Sequence, residues 1–486
     1  MTSDSTFDNP NLKSFNDYQQ ERKSHWNDVA LKLRSWKSLG AYYNRRLAEV
    51  YRFLIPPGQR VLEIGSGPGN LLAALKPAYG VGVDFSPGMI ELAQKNHPEL
   101  TFIEAEVHNL QLSGQFDFII LSDVINDLWD VQDVFKQLGS LCHPGTRIIL
   151  NYYSRLWEYP LKLARTLNLA TPLLYQNWLT RDDVNNLLYI SGFEVIRNWE
   201  EVCFPLNIPI LAPLFNRFLV RLWPFKSWAM ANFSLARPKP TPINMENPPQ
   251  VSVVVPARNE AGNIEAIFNR TPEMGSGTQL IFVEGNSKDN TYETIASAIP
   301  QHPERNAILM KQPGKGKGDA VRTGFASATG DILMILDADL TMPPEDLPRY
   351  YEAIISGKGE MINGVRLVYP MEKEAMRFFN LLGNKFFSLV FTWLLGQPIK
   401  DTLCGTKVLW RKDYNSITAN RSYFGDFDPF GDFDLLFGAA KLNLKIVDIP
   451  IRYRERTYGD TNIDRWRHGV LLLKMVAFAA RRIKFI

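Results

Sequence analysis

Cysteine is scarce: Cys142, Cys203 and Cys404 are the only three in 486 residues. They lie too far apart for metal-ligand spacing or a disulfide framework, so a reducing, cytoplasmic setting is expected. Charge of one sign is also missing. Lys and Arg number 54 against 51 Asp and Glu, a net charge of +3, which gives nucleic acid no electrostatic case as a partner. Long apolar runs are absent too. Phe386 to Gly396 is about half of the roughly 20 residues needed to cross a bilayer. Phe204 to Met230 is broken by Pro205, Pro209, Pro213 and Pro224 and by Arg217 and Arg221. Neither predicts a membrane span, and interfacial contact with a membrane stays an open reading. The opening Met1-Thr2-Ser3-Asp4 leads into polar residues without an apolar core, so no secretory signal is expected.

The length exceeds one hydrophobic core and suits two or three domains. Residues 11 to 56 have helix-like spacing and read as a helical preface. From Arg60 to Leu150, short apolar runs alternate with helical patterns, the sign of a parallel sheet with helices on both faces. The runs start at Val61, Gly80, Leu100, Phe116 and Arg147, with a late hairpin near Gly192 to Val195. Proline crowds Ala236 to Pro242 and returns at Pro248-Pro249, which predicts a stiff linker unsuited to helix or sheet. A second alternating pattern follows, with strands from Val251, Leu280, Ala307, Ile332 and Met361 and a helical tail after Thr461. The expectation is two Rossmann-like α/β domains in tandem, 1–240 and 251–486, joined by a linker over 241–250.

Each domain opens on a strand, a turn and a helix, where backbone amides and a helix N-terminus can meet a ligand. In the first, Glu63-Ile64-Gly65-Ser66-Gly67-Pro68-Gly69 supplies the turn, and Asp84 ends the next strand, placed to accept from two ribose hydroxyls. A plain tight turn is the other reading of the glycines alone. The spacing is not Gly-x-Gly-x-x-Gly, which disfavours a nicotinamide enzyme. Taken with Glu106 after the third strand and Gly82-Val83-Asp84-Phe85-Ser86-Pro87-Gly88, the set resembles class I S-adenosylmethionine-dependent methyltransferases. The resemblance implies S-adenosyl-L-methionine held by Glu63, Gly65, Gly67, Gly69, Asp84 and Glu106. Ser122, Asp123, Asn126 and Asp127 follow the fourth strand, as substrate-facing residues or as caps of the next helix.

In the second domain Ile332 to Leu336 is an apolar strand delivering Asp337 and Asp339. Two desolvated carboxylates require a cation or a paired base, and carboxylate with diphosphate oxygens suits Mg²⁺ or Mn²⁺. Helix capping before Pro343-Pro344 is the alternative. With Pro256-Ala257-Arg258-Asn259-Glu260, Ser287 to Thr291 and Gly314-Lys315-Gly316-Lys317-Gly318, the strand resembles glycosyltransferase family 2. Within that family it is similar to the dolichol-phosphate mannosyltransferase branch. The resemblance implies a GT-A fold and a nucleotide sugar bound by Pro256, Glu260, Glu284, Asp289, Lys317, Asp337 and Arg456, with the metal on Asp337 and Asp339. The family's Asp-Asp-Gly-Ser is Glu284-Gly285-Asn286-Ser287 here, so one acid is lost.

Asp401 to Lys407 and Gly431 to Leu436 match that branch's acceptor side. A hydroxyl acceptor would need a general base, for which Asp432 and Asp434 fit. A lipid phosphate would need only cations, for which Lys407, Arg452, Arg454 and Arg456 fit, although a solvated strand edge also explains the arginines. Arg456 to Asn462 resembles a segment that closes over the diphosphate. Met376 to Gln397 reads as a helical pair, either core or a polyprenyl platform.

The expected protein is a bifunctional enzyme, with Asp432, Asp434 and Asp339 catalytic in an inverting, metal-dependent, hexosyltransferase-like reaction. Its acceptor is a polyprenyl phosphate or a glycan, at the cytoplasmic face of a membrane, with the basic tail Arg481-Arg482-Ile483-Lys484 as a peripheral contact. A first domain that binds without catalysis is the alternative.

Overall fold

The computed structural model describes residues 14–33, 41–167, 174–241, 246–369, 378–423, 431–456, 458 and 465–486. For 378–381, 422, 432 and 465–468 only the backbone is described. The chain forms two compact units, Met1–Lys239 with Phe485–Ile486, and Pro240–Lys484.

The first unit is built on strands β1 (Arg60–Ile64), β2 (Tyr79–Asp84), β3 (Thr101–Glu104), β4 (Phe116–Ser122), β5 (Cys142–Tyr153), β6 (Phe193–Glu201) and β7 (Ala231–Pro238). Their order is β3-β2-β1-β4-β5-β7-β6, and β7 runs antiparallel to both neighbours. Val61, Leu62, Ile64 and Ile119 to Leu121 are fully buried, because helices cover both faces of the parallel strands. The order reverses between β1 and β4, so their carboxyl ends bound a crevice, the place where such sheets bind ligands.

The proline-rich segment differs from expectation. Ala236-Arg237-Pro238 is not linker but the end of β7, with Pro238 opposite Phe193 at the last rung. Proline is tolerated there because no further rung needs its missing donor. The late hairpin is real but widely opened, since 29 residues separate Glu201 from Ala231.

The second unit carries β8 (Val251–Ala257), β9 (Thr278–Glu284), β10 (Asn306–Lys311), β11 (Ile332–Ile335), β12 (Met361–Val365), β13 (Lys407–Trp410) and β14 (Ile446–Pro450). Their order is β10-β9-β8-β11-β13-β12-β14. Both sheets are therefore seven-stranded and mostly parallel. Because β13 is antiparallel to β11, with Val408 opposite Met334, the loop entering β13 lies beside the carboxyl end of β11. That reversal brings residues 401–406 to Asp337. One helix, Phe378–Leu395, stands where a helical pair is expected, and residues 370–377 lie outside the described set. Its Phe387, Phe391, Leu394 and Leu395 are buried while Leu382, Phe386 and Leu389 are exposed, so one face is core and the other is not. Among the described residues no helix is long and apolar enough to cross a membrane.

Candidate functional site

In the first unit the turn after β1 is held by its own backbone, with Gly65 and Ser66 N–H both donating to Val83 O at 2.8 and 3.0 Å. Gly67 has φ +47°, and a methyl group there would meet no atom within 4 Å, so its face opens onto empty space. Gly65 and Gly69 differ: methyl groups there would collide with Val124 and Phe102. Asp84 Oδ2 accepts from Gly67 N and Oδ1 from Ser86 N, both at 2.9 Å. Burial nevertheless pushes its carboxyl up to about 6. Glu63, also buried, accepts from Leu72 N at 3.1 Å, and burial lifts it to about 8. Burial acts on Glu106 in the same sense but is outweighed by hydrogen bonds from His108, whose Nδ1 lies 2.6 Å away, so this carboxyl sits below its usual range.

Gly65, Asp84 and Glu106 border a half-open pocket lined also by Val124 among others. Its apolar walls with a few convergent polar groups, Asp84 and Glu106 among them, are the lining of a small-molecule site. A carboxylate has about four acceptor sites, so Asp84 can serve two backbone amides and still accept from a ribose. The acceptor groups therefore fit S-adenosylmethionine.

Sequence reasoning missed the cavity's cover. Phe15, Tyr18 and Arg22 of the helix Phe15–Leu33 line it from outside. Arg22 Nε donates to Asp127 Oδ1 at 2.7 Å, Trp26 Nε1 to Asp127 Oδ2 at 2.8 Å, and Asn27 Oδ1 accepts from Gly88 N at 3.0 Å. Trp129 meets Phe15 and Tyr18 edge-on. The signal was present, since positions 15, 18, 22 and 26 fall on one helical stripe.

The residues after β4 correct the capping expectation. The next helix, Val131–Leu138, is capped by Asp130 and not by any of them. Asp127 holds the cover helix. Asn126 is fully buried between Tyr153 N and Asn177 O. Asp123 Oδ1 accepts from Tyr43 OH at 2.9 Å and from Asn151 Nδ2 at 2.6 Å, and burial raises its carboxyl to about 7. Ser122 bonds with Tyr51. All four make internal contacts, and Asp127 also lines the pocket.

In the second unit the ends of β8, β9 and β11 meet. Asn259 N–H donates to Ser287 Oγ at 3.0 Å and Lys288 N–H to Asn259 Oδ1 at 2.7 Å, which staples the loops after β8 and β9. Glu284 is buried and accepts from Ser287 N at 2.5 Å. Asp289 accepts from Thr291 Oγ1 at 2.5 Å, while Glu260 N–H donates to Thr291 Oγ1 at 3.0 Å. Pro256, in β8, is paired with Val283. Glu284 and Asp289 thus brace the loops after β8 and β9.

Each acid of the Asp-x-Asp carries a cation. Lys317 Nζ, at the start of helix Lys317–Ser327, lies 2.5 Å from Asp337 Oδ1. Burial pushes the Asp337 carboxyl up, but the Lys317 ammonium outweighs it and holds the group below its usual range. Arg456 Nη2 donates to Asp339 Oδ2 at 2.6 Å and Nη1 to Glu260 Oε1 at 3.3 Å. Thr341 orients the other Asp339 oxygen through N–H and Oγ1, at 3.1 and 2.8 Å. Burial lifts Glu260 to about 7 despite Arg456. The acids face one positively lined crevice and do not cap a helix. Among the described residues no group of three or more acids, histidines or cysteines is assembled to hold a metal, so a divalent ion here would have only the two carboxylates from the protein and would take its other oxygens from a diphosphate. Gly405 closes this corner, because a methyl group there would collide with Asp337 and Lys317.

The acceptor side is more divided. Asp401 is fully buried in a two-pronged pair with Arg366, at 2.7 and 2.9 Å. Lys407 is fully buried too, its ammonium on Cys404 O, which removes it as a surface cation. Asp434 accepts from Arg421 Nε at 3.0 Å. The Asp432 side chain and residues 459–464, with Thr461-Asn462, lie outside the described residues. Arg452 and Arg454 are exposed.

Residues 252–416 match Glycosyl transferase family 2, and residues 39–198 match a methyltransferase domain family. The dolichol-phosphate mannosyltransferase of Pyrococcus furiosus is 28% identical over 247 residues, 49% of this chain and 67% of that protein. The undecaprenyl-phosphate 4-deoxy-4-formamido-L-arabinose transferase of Pseudomonas aeruginosa is 31% identical over 242 residues, covering 49% and 66%. Among solved structures, glucosyl-3-phosphoglycerate synthase of Mycobacterium tuberculosis with Mn²⁺ and UDP shows 19% identity and a TM-score of 0.37, covering 50% of this chain and 82% of that one. An S-adenosylmethionine-dependent methyltransferase of Mesorhizobium loti shows 20% identity and a TM-score of 0.30, covering 39% and 96%.

Proposed function

Because this chain carries a methyltransferase domain followed by a glycosyltransferase family 2 domain, we propose a bifunctional transferase acting at the cytoplasmic face of a membrane. The second unit would move a hexose-like sugar from a nucleotide sugar to a polyprenyl phosphate, with inversion. The supporting observation is the crevice in which Asp337, Asp339, Lys317, Glu260 and Arg456 meet. Asp337 and Asp339 would hold Mg²⁺ or Mn²⁺, which supplies charge stabilisation to the departing diphosphate. Glu260, Pro256, Glu284 and Asp289 would frame the nucleoside. Lys317 and Arg456 would pass from their acids toward the diphosphate oxygens as the donor enters, since guanidinium and ammonium both bind phosphate.

A phosphate acceptor is favoured over a glycan hydroxyl. Asp434 is already ion-paired with Arg421, and an anionic nucleophile needs no general base. The exposed face of Phe378–Leu395, with Leu382, Phe386 and Leu389, suits a prenyl chain. In the first unit Glu63, Asp84 and Glu106 would hold S-adenosylmethionine, with Gly65, Gly67 and Gly69 forming the turn beneath it. A second reading has its own support: Ser122, Asp123, Asn126 and Asp127 are all engaged internally, as expected of a domain that binds its cofactor without transferring the methyl group.

The test offers labelled sugar nucleotides with Mn²⁺, with and without polyprenyl phosphate. A labelled lipid product supports the reading; label appearing only in a glycan, or no transfer from any donor, refutes it. Titration of S-adenosylmethionine, followed by turnover on cell extract, separates the two readings of the first unit.

A further inference from the structure

Between Glu201 and Glu246 the chain has no Asp or Glu, but it has Arg217, Arg221, Lys226, Arg237 and Lys239. Most of that stretch is the excursion joining β6 to β7. Its inward side is a fixed structure. Buried Asn216 donates from Nδ2 to Phe204 O at 2.6 Å and accepts from Phe204 N at 2.8 Å. Arg221 Nη2 donates to Glu201 Oε1 at 2.6 Å, and Met230 N–H donates to Val202 O at 2.7 Å across the neck.

Its outward side is apolar. Leu211, Leu214, Phe218 and Leu222, spaced by three and four residues, are each 42–44% exposed, and Trp223 and Trp228 are more than 70% exposed. A second stripe, Leu156, Tyr159, Leu163 and Leu167, runs along the helix Glu158–Thr166 and its flanks at 59–77% exposure. Trp157 Nε1 donates to Trp228 O at 2.8 Å, which fastens the two elements together. Stripes at helical period normally face a core. Here both face outward, beside the exposed cations Arg217, Lys226, Arg155 and Lys162.

We propose that this face docks on an anionic lipid bilayer, with Trp223 and Trp228 at headgroup depth and Arg217 and Lys226 against the lipid phosphates. Tryptophan and basic residues around an apolar stripe, with no acid in the excursion, suit an interfacial element and complement a negative surface. A second copy is a poorer occupant, because a two-fold contact would oppose the same cations to themselves. The inference deepens the membrane-surface reading above and rests on it. It places contact in the first unit, where Arg217 Nε also donates to Phe485 O at 2.7 Å.

The test sediments the full chain with vesicles of phosphatidylcholine alone or mixed with phosphatidylglycerol. No nucleotide sugar or acceptor is present, so failure here and failure of sugar transfer are distinct results. The full chain is expected to bind the mixed vesicles and to bind phosphatidylcholine weakly. Trp223→Ser with Trp228→Ser should weaken binding by roughly tenfold or more. Arg217→Gln with Lys226→Gln should weaken it by about fivefold for each cation lost. Both pairs are surface changes, and an unchanged melting profile confirms their folding. Three results overturn the proposal: no binding by the wild type, binding by both variants equal to wild type, or a wild-type dimer that Trp223→Ser dissociates.

Discussion

Replacing Asp127 by Asn removes one charge from beneath the cover helix while keeping the shape of the side chain. In the wild type its two oxygens accept from Arg22 Nε at 2.7 Å and Trp26 Nε1 at 2.8 Å, and the Arg22 and Asp127 side chains are only 4% and 12% exposed. The amide keeps one acceptor oxygen for two donors, so Arg22 retains the Tyr175 carbonyl but loses its counter-charge. Breaking a buried pair by removing one partner costs about 3–5 kcal/mol. The pair borders a cavity that water can enter, so the lower end, about 3 kcal/mol, is expected. If the first unit unfolds as a whole, each kcal/mol lowers Tm by roughly 2–4 °C, or about 6–12 °C in total. If the helix opens alone, Tm barely moves and amide protection across Phe15–Leu33 falls by about a hundredfold. Hydrogen exchange with differential scanning fluorimetry reads both cases. S-adenosylmethionine binding should weaken in either, because Phe15, Tyr18 and Arg22 wall the cavity. Unchanged exchange, Tm and cofactor affinity together would refute the helix as a cover.

Asp339→Asn should abolish sugar transfer and, in equilibrium dialysis, the stimulation of nucleotide binding by Mn²⁺; retention of both removes the acid from the metal role. Gly405→Ala should wedge Lys317 from Asp337 and weaken donor binding by about tenfold, roughly 1.4 kcal/mol, with the fold intact by circular dichroism. Cofactor binding should follow Asp84. If its ionised form accepts ribose hydroxyls, as proposed, affinity is full above about pH 6 and falls up to tenfold per unit below it, measured by calorimetry. Glu63 acts oppositely on stability. Its carboxyl is raised to about 8 in the fold, so the folded state binds more protons and stability declines as pH rises from the usual carboxylate range toward 8. Glu63→Gln should flatten that decline in urea unfolding.

The parallel strands were legible because strands buried on both faces read as unbroken apolar runs. The turn residues were legible because Gly67, in the turn after β1, and Asp84, at the end of β2, are only 17 positions apart. Strands β13 and β14 were not. Lys407–Trp410 has four residues and opens on a lysine, and Ile446–Pro450 ends in proline. The helix Phe15–Leu33 was expected as part of the preface, but its role as a cover was not legible: Arg22 finds Asp127 across 105 residues, and only tertiary packing makes that pair. The acids after β4 were misread because an acid at a strand end looks alike whether it meets substrate or a buried Tyr43 and Asn151.

The narrow neck between Val202 and Met230 has a consequence for how this protein can change over evolutionary time. The excursion leaves and re-enters the sheet at the β7–β6 edge, closed at its neck by Met230 N–H to Val202 O, with β5 and β7 between β6 and β4. Loop closure grows only slowly in cost with length, so its outer sequence can be lengthened or recoloured without disturbing the turn after β1. Surface address and cofactor pocket are thereby separable traits, each open to selection on its own.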